Sequence, residues 1–173
     1  MINNYYIKSP LKIITTQLGI PLDYKQKCIE ESYKLGDSQN KKTNVQAIMS
    51  TYEVFKETDV FNNLISNIGN IIKESIIDVF PTSYSFNFKN VWSAIYKKGH
   101  YTKSHAHLPF FMSFVYYLQT SGNTPIIFEG CDFKINPKDD MLVLFPSYVE
   151  HSVPKHKEEK DRICLAGNIE MIV

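Results

Sequence analysis

Residues 104–119 read SHAHLPFFMSFVYYLQ, a histidine pair one residue apart followed by a run of aromatic and β-branched residues. We read two strands here, over 104–107 and 111–119. Further short apolar segments lie on both sides: SFNFKN (85–90), VWSAIYK (91–97), PIIFEG (125–130), FKINP (133–137), MLVLFP (141–146), HSVP (151–154) and RICLAGNIEMI (162–172). The turn signals KKG, SGN, NPKDD and KHKEEKD punctuate them. So many short strands at close intervals predict a mainly β fold with flanking helices, a β-sandwich or barrel of jelly-roll type.

The front half reads differently. One or two short strands are expected over 5–18, broken near Pro10. Pro21 opens a helix over 21–35 that Gly36 ends, the Pro-first, Gly-last asymmetry of helices. The polar stretch DSQNKKTN (37–44) reads as a surface loop. A second helix is expected over 59–79. There Val60, Phe61, Leu64, Ile65, Ile68, Ile71, Ile72, Ile76 and Val79 fall at helical spacing, with Asp59 as cap and Pro81 as stop. At 173 residues the chain fits one domain, 1–173. Its helix-rich part (1–83) would pack on a jelly-roll core (84–173). A chain of this size buries roughly 70% of its unfolded surface, so no disulfide or zinc staple is needed.

Composition narrows the function classes. A net charge of +1 gives no field for phosphate neutralisation, so a nucleic-acid partner is not expected. Cys28, Cys131 and Cys164 are scattered and form no CxxC pair, which argues against a disulfide framework or zinc ribbon and for a reducing compartment. The N-terminus carries no charged segment ahead of a long apolar run, and no window approaches a membrane span. A cytoplasmic location follows as an expectation. Among 19 basic residues, Arg162 is the sole arginine. A guanidinium grips a carboxylate with two prongs, which an ammonium cannot do. Arg162 therefore reads either as a required anion clamp or as half of an ordinary ion pair.

His105 and His107 alternate along a strand, so both can point into the barrel and clamp a metal, or both can lie on a polar surface. His151 follows the strand MLVLFP and a short turn, where a jelly roll brings it near the pair. Three ligands on one face of an octahedral metal leave positions open. The usual oxygenase form of such a site has two histidines and one carboxylate. Arg162, Cys164, Ala166 and Asn168 share a strand face. If that face points inward, the guanidinium needs a partner, and a bound dicarboxylate would serve, with Cys164 beside it. Tyr96 and Tyr117 read either as core aromatics or as hydroxyl donors to that ligand.

The back half, about residues 91–170, resembles the small 2-oxoglutarate and iron(II)-dependent oxygenases of phages and marine bacteria and, more distantly, the prolyl hydroxylases. The matching blocks are WSAIYKKG (92–99), HAHLP (105–109), SFVYYL (113–118), LFPSYVEHSVP (144–154) and RICLAGNI (162–169). Their order and spacing are more specific than any one of them. The resemblance implies a double-stranded β-helix, a jelly-roll barrel of cupin-like type, with Fe(II) held by His105, His107 and His151, and a place in the host cytoplasm if the chain is phage-encoded. It also implies 2-oxoglutarate as co-substrate, paired with Arg162, helped by Tyr96 or Tyr117 and flanked by Cys164. It further implies hydroxylation by dioxygen, with 2-oxoglutarate converted to succinate and carbon dioxide.

A protein or peptide is entertained as substrate, with a residue such as proline the nearest analogy, and a homodimer as assembly. The sequence departs from the pattern twice: His107 stands where the family carries Asp or Glu, and Cys164 where Ser or Thr is common. Two other classes stay open, a cupin-type three-His metal dioxygenase without 2-oxoglutarate and a non-catalytic jelly-roll interaction protein. Loops 100–104 and 119–124 and the front helices are expected to shape the entrance. His100 and His156 read as exposed loop residues.

Overall fold

Short segments rich in Val, Ile, Phe and Tyr form strands here because their branched and aromatic side chains pack on pleated surfaces. In the computed structural model, which describes residues 12–37, 44–76, 85–121, 124–130 and 133–172, these segments build two sheets. The elements in chain order are β1 (Ile14–Gln17), α1 (Leu22–Leu35), β2 (Val45–Gln46), β3 (Ile48–Met49), α2 (Val54–Glu57), α3 (Asp59–Ile76) and β4 (Ser85–Tyr96). There follow β5 (Tyr101–His105), β6 (Met112–Gln119), β7 (Ile126–Phe128), β8 (Phe133–Ile135), β9 (Met141–Pro146), β10 (His151–Val153) and β11 (Arg162–Ile172).

The larger sheet runs β1-β9-β6-β11-β4-β3 and the smaller β2-β5-β10-β7-β8. Pairings between named strands are antiparallel throughout. This is the jelly-roll architecture expected from the strand pattern. No helix among the described residues is long and apolar enough to cross a membrane.

The larger sheet is buried on both faces, which explains why β9 and β11 read as nearly continuous apolar runs. Along β9, Leu142 and Leu144 join one core cluster while Val143 and Phe145 join another. Along β11, Ile163 and Leu165 face the first cluster, and Cys164 and Ala166 the second. The first is the outer core. There α3 lays Phe61, Leu64, Ile65, Ile68 and Ile72 against the sheet, one stripe at helical spacing. Full burial of each such side chain contributes about 1.5–3 kcal/mol. The second cluster fills the space between the sheets, where Trp92, Tyr117 and Phe145 meet Val45, Ile126, Phe128 and Val153 of the smaller sheet.

Several details differ from the sequence reading. Segments 85–90 and 91–97 form one long strand, β4, because nothing between them breaks the pairing with β11. The strand carrying the histidine pair is 101–105 rather than 104–107, so much of the expected loop 100–104 is ladder. Thr58, not Asp59, caps α3, its hydroxyl accepting from the Phe61 N–H at 3.2 Å. The short elements β2, β3 and α2 were not anticipated. The helices cover the outer face of the larger sheet, on the far side from the inter-sheet space, so they do not shape an entrance to it. The early strand falls at 14–17. Residues 5–11, most of the 37–44 loop, the end of the second helix with Pro81, and Cys131 lie outside the described residues.

Candidate metal centre

His105 ends β5 and His151 begins β10, and the two face each other in the antiparallel register. Their ring centroids are 4.4 Å apart. His107 arrives by a different route. The chain has left the strand by then, and the His107 backbone N–H donates to the Ser147 carbonyl at 2.7 Å, tying it to the segment before β10. Its ring lies 4.7 Å from that of His105 and 5.1 Å from that of His151, with Trp92 packed at 5.9 Å. One ligand atom from each histidine falls within 4.8 Å of the others. The structure thus brings together the three residues that the sequence singled out, although strand alternation accounts for only one of the pair.

Hydrogen bonds orient two of the rings. Nδ1 of His105 donates to the Lys103 carbonyl at 2.8 Å, and Nδ1 of His151 donates to the Val149 carbonyl at 3.1 Å. A carbonyl can only accept, so both rings keep Nε2 as a bare donor atom for a cation. The His107 ring makes no such bond among the described residues. Burial disfavours the charged imidazoles: with added repulsion from neighbouring rings it pushes His107 down to about 4 and His151 to about 3, and burial lowers His105 as well. All three are neutral at physiological pH, the state a metal requires.

Arg162 begins β11 opposite Tyr96 on β4 and is 2% exposed. Its guanidinium is sandwiched by aromatic rings, 4.7 Å from the Tyr96 centroid and 5.0 Å from the Tyr117 centroid. Nη2 donates to the Tyr117 hydroxyl at 3.3 Å, while Nε and Nη1 are buried with no acceptor among the described residues. A permanently charged group in this condition is expensive unless an anion joins it. The Tyr96 hydroxyl shares a 2.7 Å hydrogen bond with Thr102 Oγ1. Burial pushes both tyrosines up to about 12 and raises the Cys164 thiol, so all three stay neutral.

A cavity with about 470 Å³ of empty space is lined by all seven of these side chains: the three histidines, Arg162, Tyr96, Tyr117 and Cys164. Val45, Trp92, Thr102, Phe145 and Val153 complete much of its wall. Thr102 was not anticipated, and the reason is local. It lies three residues before His105, the wrong parity for a shared strand face. The register shifts between the pairs His151–His105 and Val153–Thr102, and this irregularity turns both side chains inward. A second, wider opening of about 710 Å³ adjoins the histidines and is lined by Tyr52, Asn90, Trp92, His105, His107 and Asn168 among others.

The reading of His156 as an exposed loop residue is overturned. It is 1% exposed, with Nε2 3.1 Å from Ser121 Oγ and 2.9 Å from the Lys160 carbonyl, and Nδ1 3.0 Å from Thr124 Oγ1. His156 pins the loop after β6 to the loop before β11. His100 is part-buried, and its Nδ1 accepts from the Lys97 N–H at 3.2 Å.

The family model described as "Putative 2OG-Fe(II) oxygenase" matches residues 128–168, a stretch that holds His151, Arg162 and Cys164. The chain resembles the 2-oxoglutarate and iron(II) oxygenases. A search of curated proteins gave no match. Among solved structures, a viral collagen prolyl hydroxylase from Paramecium bursaria Chlorella virus-1, in complex with 2-oxoglutarate, is 16% identical with a TM-score of 0.70, covering 93% of this chain and 96% of that one. A prolyl hydroxylase from Trichoplax adhaerens, bound to a peptide fragment of hypoxia inducible factor, is 16% identical with a TM-score of 0.66, over 91% of this chain and 83% of that one. HygX from Streptomyces hygroscopicus, with nickel and 2-oxoglutarate bound, is 8% identical with a TM-score of 0.66, over 91% and 82%. At these identities the likeness is one of fold. It places this chain's sheets on the framework that the oxygenases use.

Proposed function

We propose that this protein is a 2-oxoglutarate-dependent, non-haem iron(II) dioxygenase, in which His105, His107 and His151 hold the metal and Arg162 holds the far carboxylate of 2-oxoglutarate. One observation carries the reading. The cavity that holds three converging neutral imidazoles also holds a buried guanidinium whose Nε and Nη1 have no acceptor among the described residues. The first group fits a divalent cation. The second fits a carboxylate, which forms paired, charge-assisted bonds with such a fork. The fold shared with 2-oxoglutarate-bound oxygenases supports the same assignment.

When bound, iron and 2-oxoglutarate supply the oxidising power: one dioxygen is consumed, 2-oxoglutarate becomes succinate and carbon dioxide, and a substrate C–H becomes C–OH. The chain's own residues do the rest. Arg162 and the Tyr117 hydroxyl fix the co-substrate's orientation, and the Tyr96 hydroxyl, bonded to Thr102, closes the same end. Trp92, Phe145 and Val153 exclude water from the chemistry. Lys103 and Val149 carbonyls keep His105 and His151 in the ligating tautomer. Cys164 sits beside the clamp as a neutral thiol. On this reading residues 1–173 act as one domain, and the primary substrate is a peptidyl group, as in the prolyl hydroxylases that share the fold.

A three-His dioxygenase that dispenses with 2-oxoglutarate is favoured by one fact, that the histidine cluster includes no carboxylate among the described residues. It leaves the Arg162 N–H groups unexplained. Incubation with Fe(II), 2-oxoglutarate and dioxygen separates the two. Succinate formation stoichiometric with carbon dioxide is expected. Iron-loaded protein that neither binds 2-oxoglutarate nor yields succinate would reject the proposal.

A further inference from the structure

The charges in the cavity do not balance. Metal ligation needs neutral imidazoles, so His105, His107 and His151 bring a divalent cation no negative charge. Neither the cavity nor the outer opening has an Asp or Glu in its wall among the described residues. Glu150, the residue before His151, is exposed. Glu129 is exposed too, and its carboxylate accepts from the Ser152 hydroxyl at 2.7 Å. Among the described residues, Arg162 is the one charged side chain in the cavity wall, and burial keeps its neighbours Tyr96, Tyr117 and Cys164 neutral.

A divalent metal and Arg162 together carry three positive charges, and 2-oxoglutarate brings two negative ones. One positive charge is left over. A carboxylate in the place of His107 would cancel it, and this chain has an imidazole there. The surroundings do little to screen the excess. The Trp92 ring lies 5.9 Å from that of His107, and the Phe145 and Phe128 rings lie 4.7 and 6.4 Å from that of His151. Between apolar walls an uncancelled charge attracts an opposite one far more strongly than it does in water. Three imidazoles and a chelating co-substrate leave an octahedral metal room for one more small ligand. The outer opening of about 710 Å³ reaches His105 and His107, so a small ion has a route to the metal position from solvent.

We propose that the metal centre takes, besides 2-oxoglutarate, one small monovalent inorganic anion as a metal ligand, drawn by the positive charge that His107 leaves uncancelled. This rests on the oxygenase reading and adds to it a second anion subsite and the residue that creates it. Because dioxygen also needs a free metal position, the bound anion restrains oxidation until it is displaced.

The test uses the full-length protein loaded with Co(II) and 2-oxoglutarate in the absence of dioxygen. It is titrated with sodium azide, with sodium chloride and, at equal ionic strength, with sodium perchlorate, whose anion coordinates metals poorly. Azide and chloride should change the visible Co(II) spectrum and saturate at one anion per protein, and perchlorate should leave it unchanged. His107→Asp supplies the missing negative charge and should weaken azide binding by at least about tenfold while Co(II) and 2-oxoglutarate still bind. Where His107→Asp fails to hold Co(II), His107→Glu takes its place in the comparison. If Co(II) and 2-oxoglutarate bind the wild type but azide leaves the spectrum unchanged, or azide binds the wild type and the acidic variant equally well, the anion subsite is wrong and the oxygenase reading stands. If Co(II) or 2-oxoglutarate fails to bind the wild type, that reading falls and the subsite with it.

Discussion

His105 and His151 occupy directly opposed positions on neighbouring antiparallel strands, with ring centroids 4.4 Å apart. Opposed residues in a ladder are the nearest cross-strand neighbours a sheet provides. Two of the three proposed metal ligands are therefore built into the strand pairing of the smaller sheet, before any loop is placed. Replacing either ring removes a ligand without disturbing the ladder, whose bonds are backbone bonds. We expect His151→Ala to fold with near wild-type circular dichroism and to lose Fe(II) on dialysis. Stoichiometric iron retained in that variant, measured by elemental analysis, would show that His151 is not a ligand.

Arg162 should report on 2-oxoglutarate in two opposite ways. Arg162→Lys cannot present a planar fork, and Arg162→Leu presents nothing, so each should raise the 2-oxoglutarate concentration needed for turnover by at least about a hundredfold, in line with the 3–5 kcal/mol cost of breaking a buried charge pair. Without ligand the sign reverses. Nε and Nη1 have no acceptor among the described residues, so Arg162→Leu should be as stable as the wild type or more so, by up to about 1–4 kcal/mol in urea unfolding. 2-Oxoglutarate should raise the melting temperature of the wild type and leave that of Arg162→Leu unchanged. Equal 2-oxoglutarate dependence in all three proteins would remove Arg162 from the site.

The histidines set an acid limit. An imidazole has an ordinary value near 6.5, whereas the folded protein holds His107 near 4 and His151 near 3 because burial penalises their charged forms. Between those values the unfolded chain binds more protons than the folded one, so stability rises with pH across that window. The metal-free protein should be insensitive to these groups above about pH 7 and lose stability as pH falls from about 6.5 toward 4. Melting temperatures taken at one-unit steps check this, and His107→Gln should flatten the slope. A wild-type curve flat from pH 7 to 4 would contradict the burial of the cluster.

His156 is a structural tie rather than a surface residue. Substituting Ala would strand the buried Thr124 hydroxyl and leave the Ser121 hydroxyl and the Lys160 carbonyl only their bond to each other at 2.5 Å. The expected cost is about 1–3 kcal/mol, or roughly 2–4 °C of melting temperature for each kcal/mol. Because Lys160 lies two residues before Arg162, proteolysis and hydrogen exchange should also increase at the start of β11. Unchanged exchange there would deny His156 this role.

The amino-acid sequence by itself determined the strand-rich back half, the two main helices and the identity of the converging residues. Those properties follow from local periodicity and from rare chemistry: a lone arginine among lysines, a histidine pair, a buried-strand pattern along β9 and β11. Only the tertiary structure decided how His107 reaches the site, that Thr102 joins it, that His156 is buried, and that the helices back the larger sheet instead of guarding the opening. A register irregularity in β5–β10 and a backbone bond from His107 to Ser147 made the first two. Contacts of this kind join residues far apart in the chain, as His107 to Ser147, 40 positions away, and His105 to His151, 46 positions away, do. Alternation rules describe one strand at a time and carry no information about where its neighbour slips by a residue.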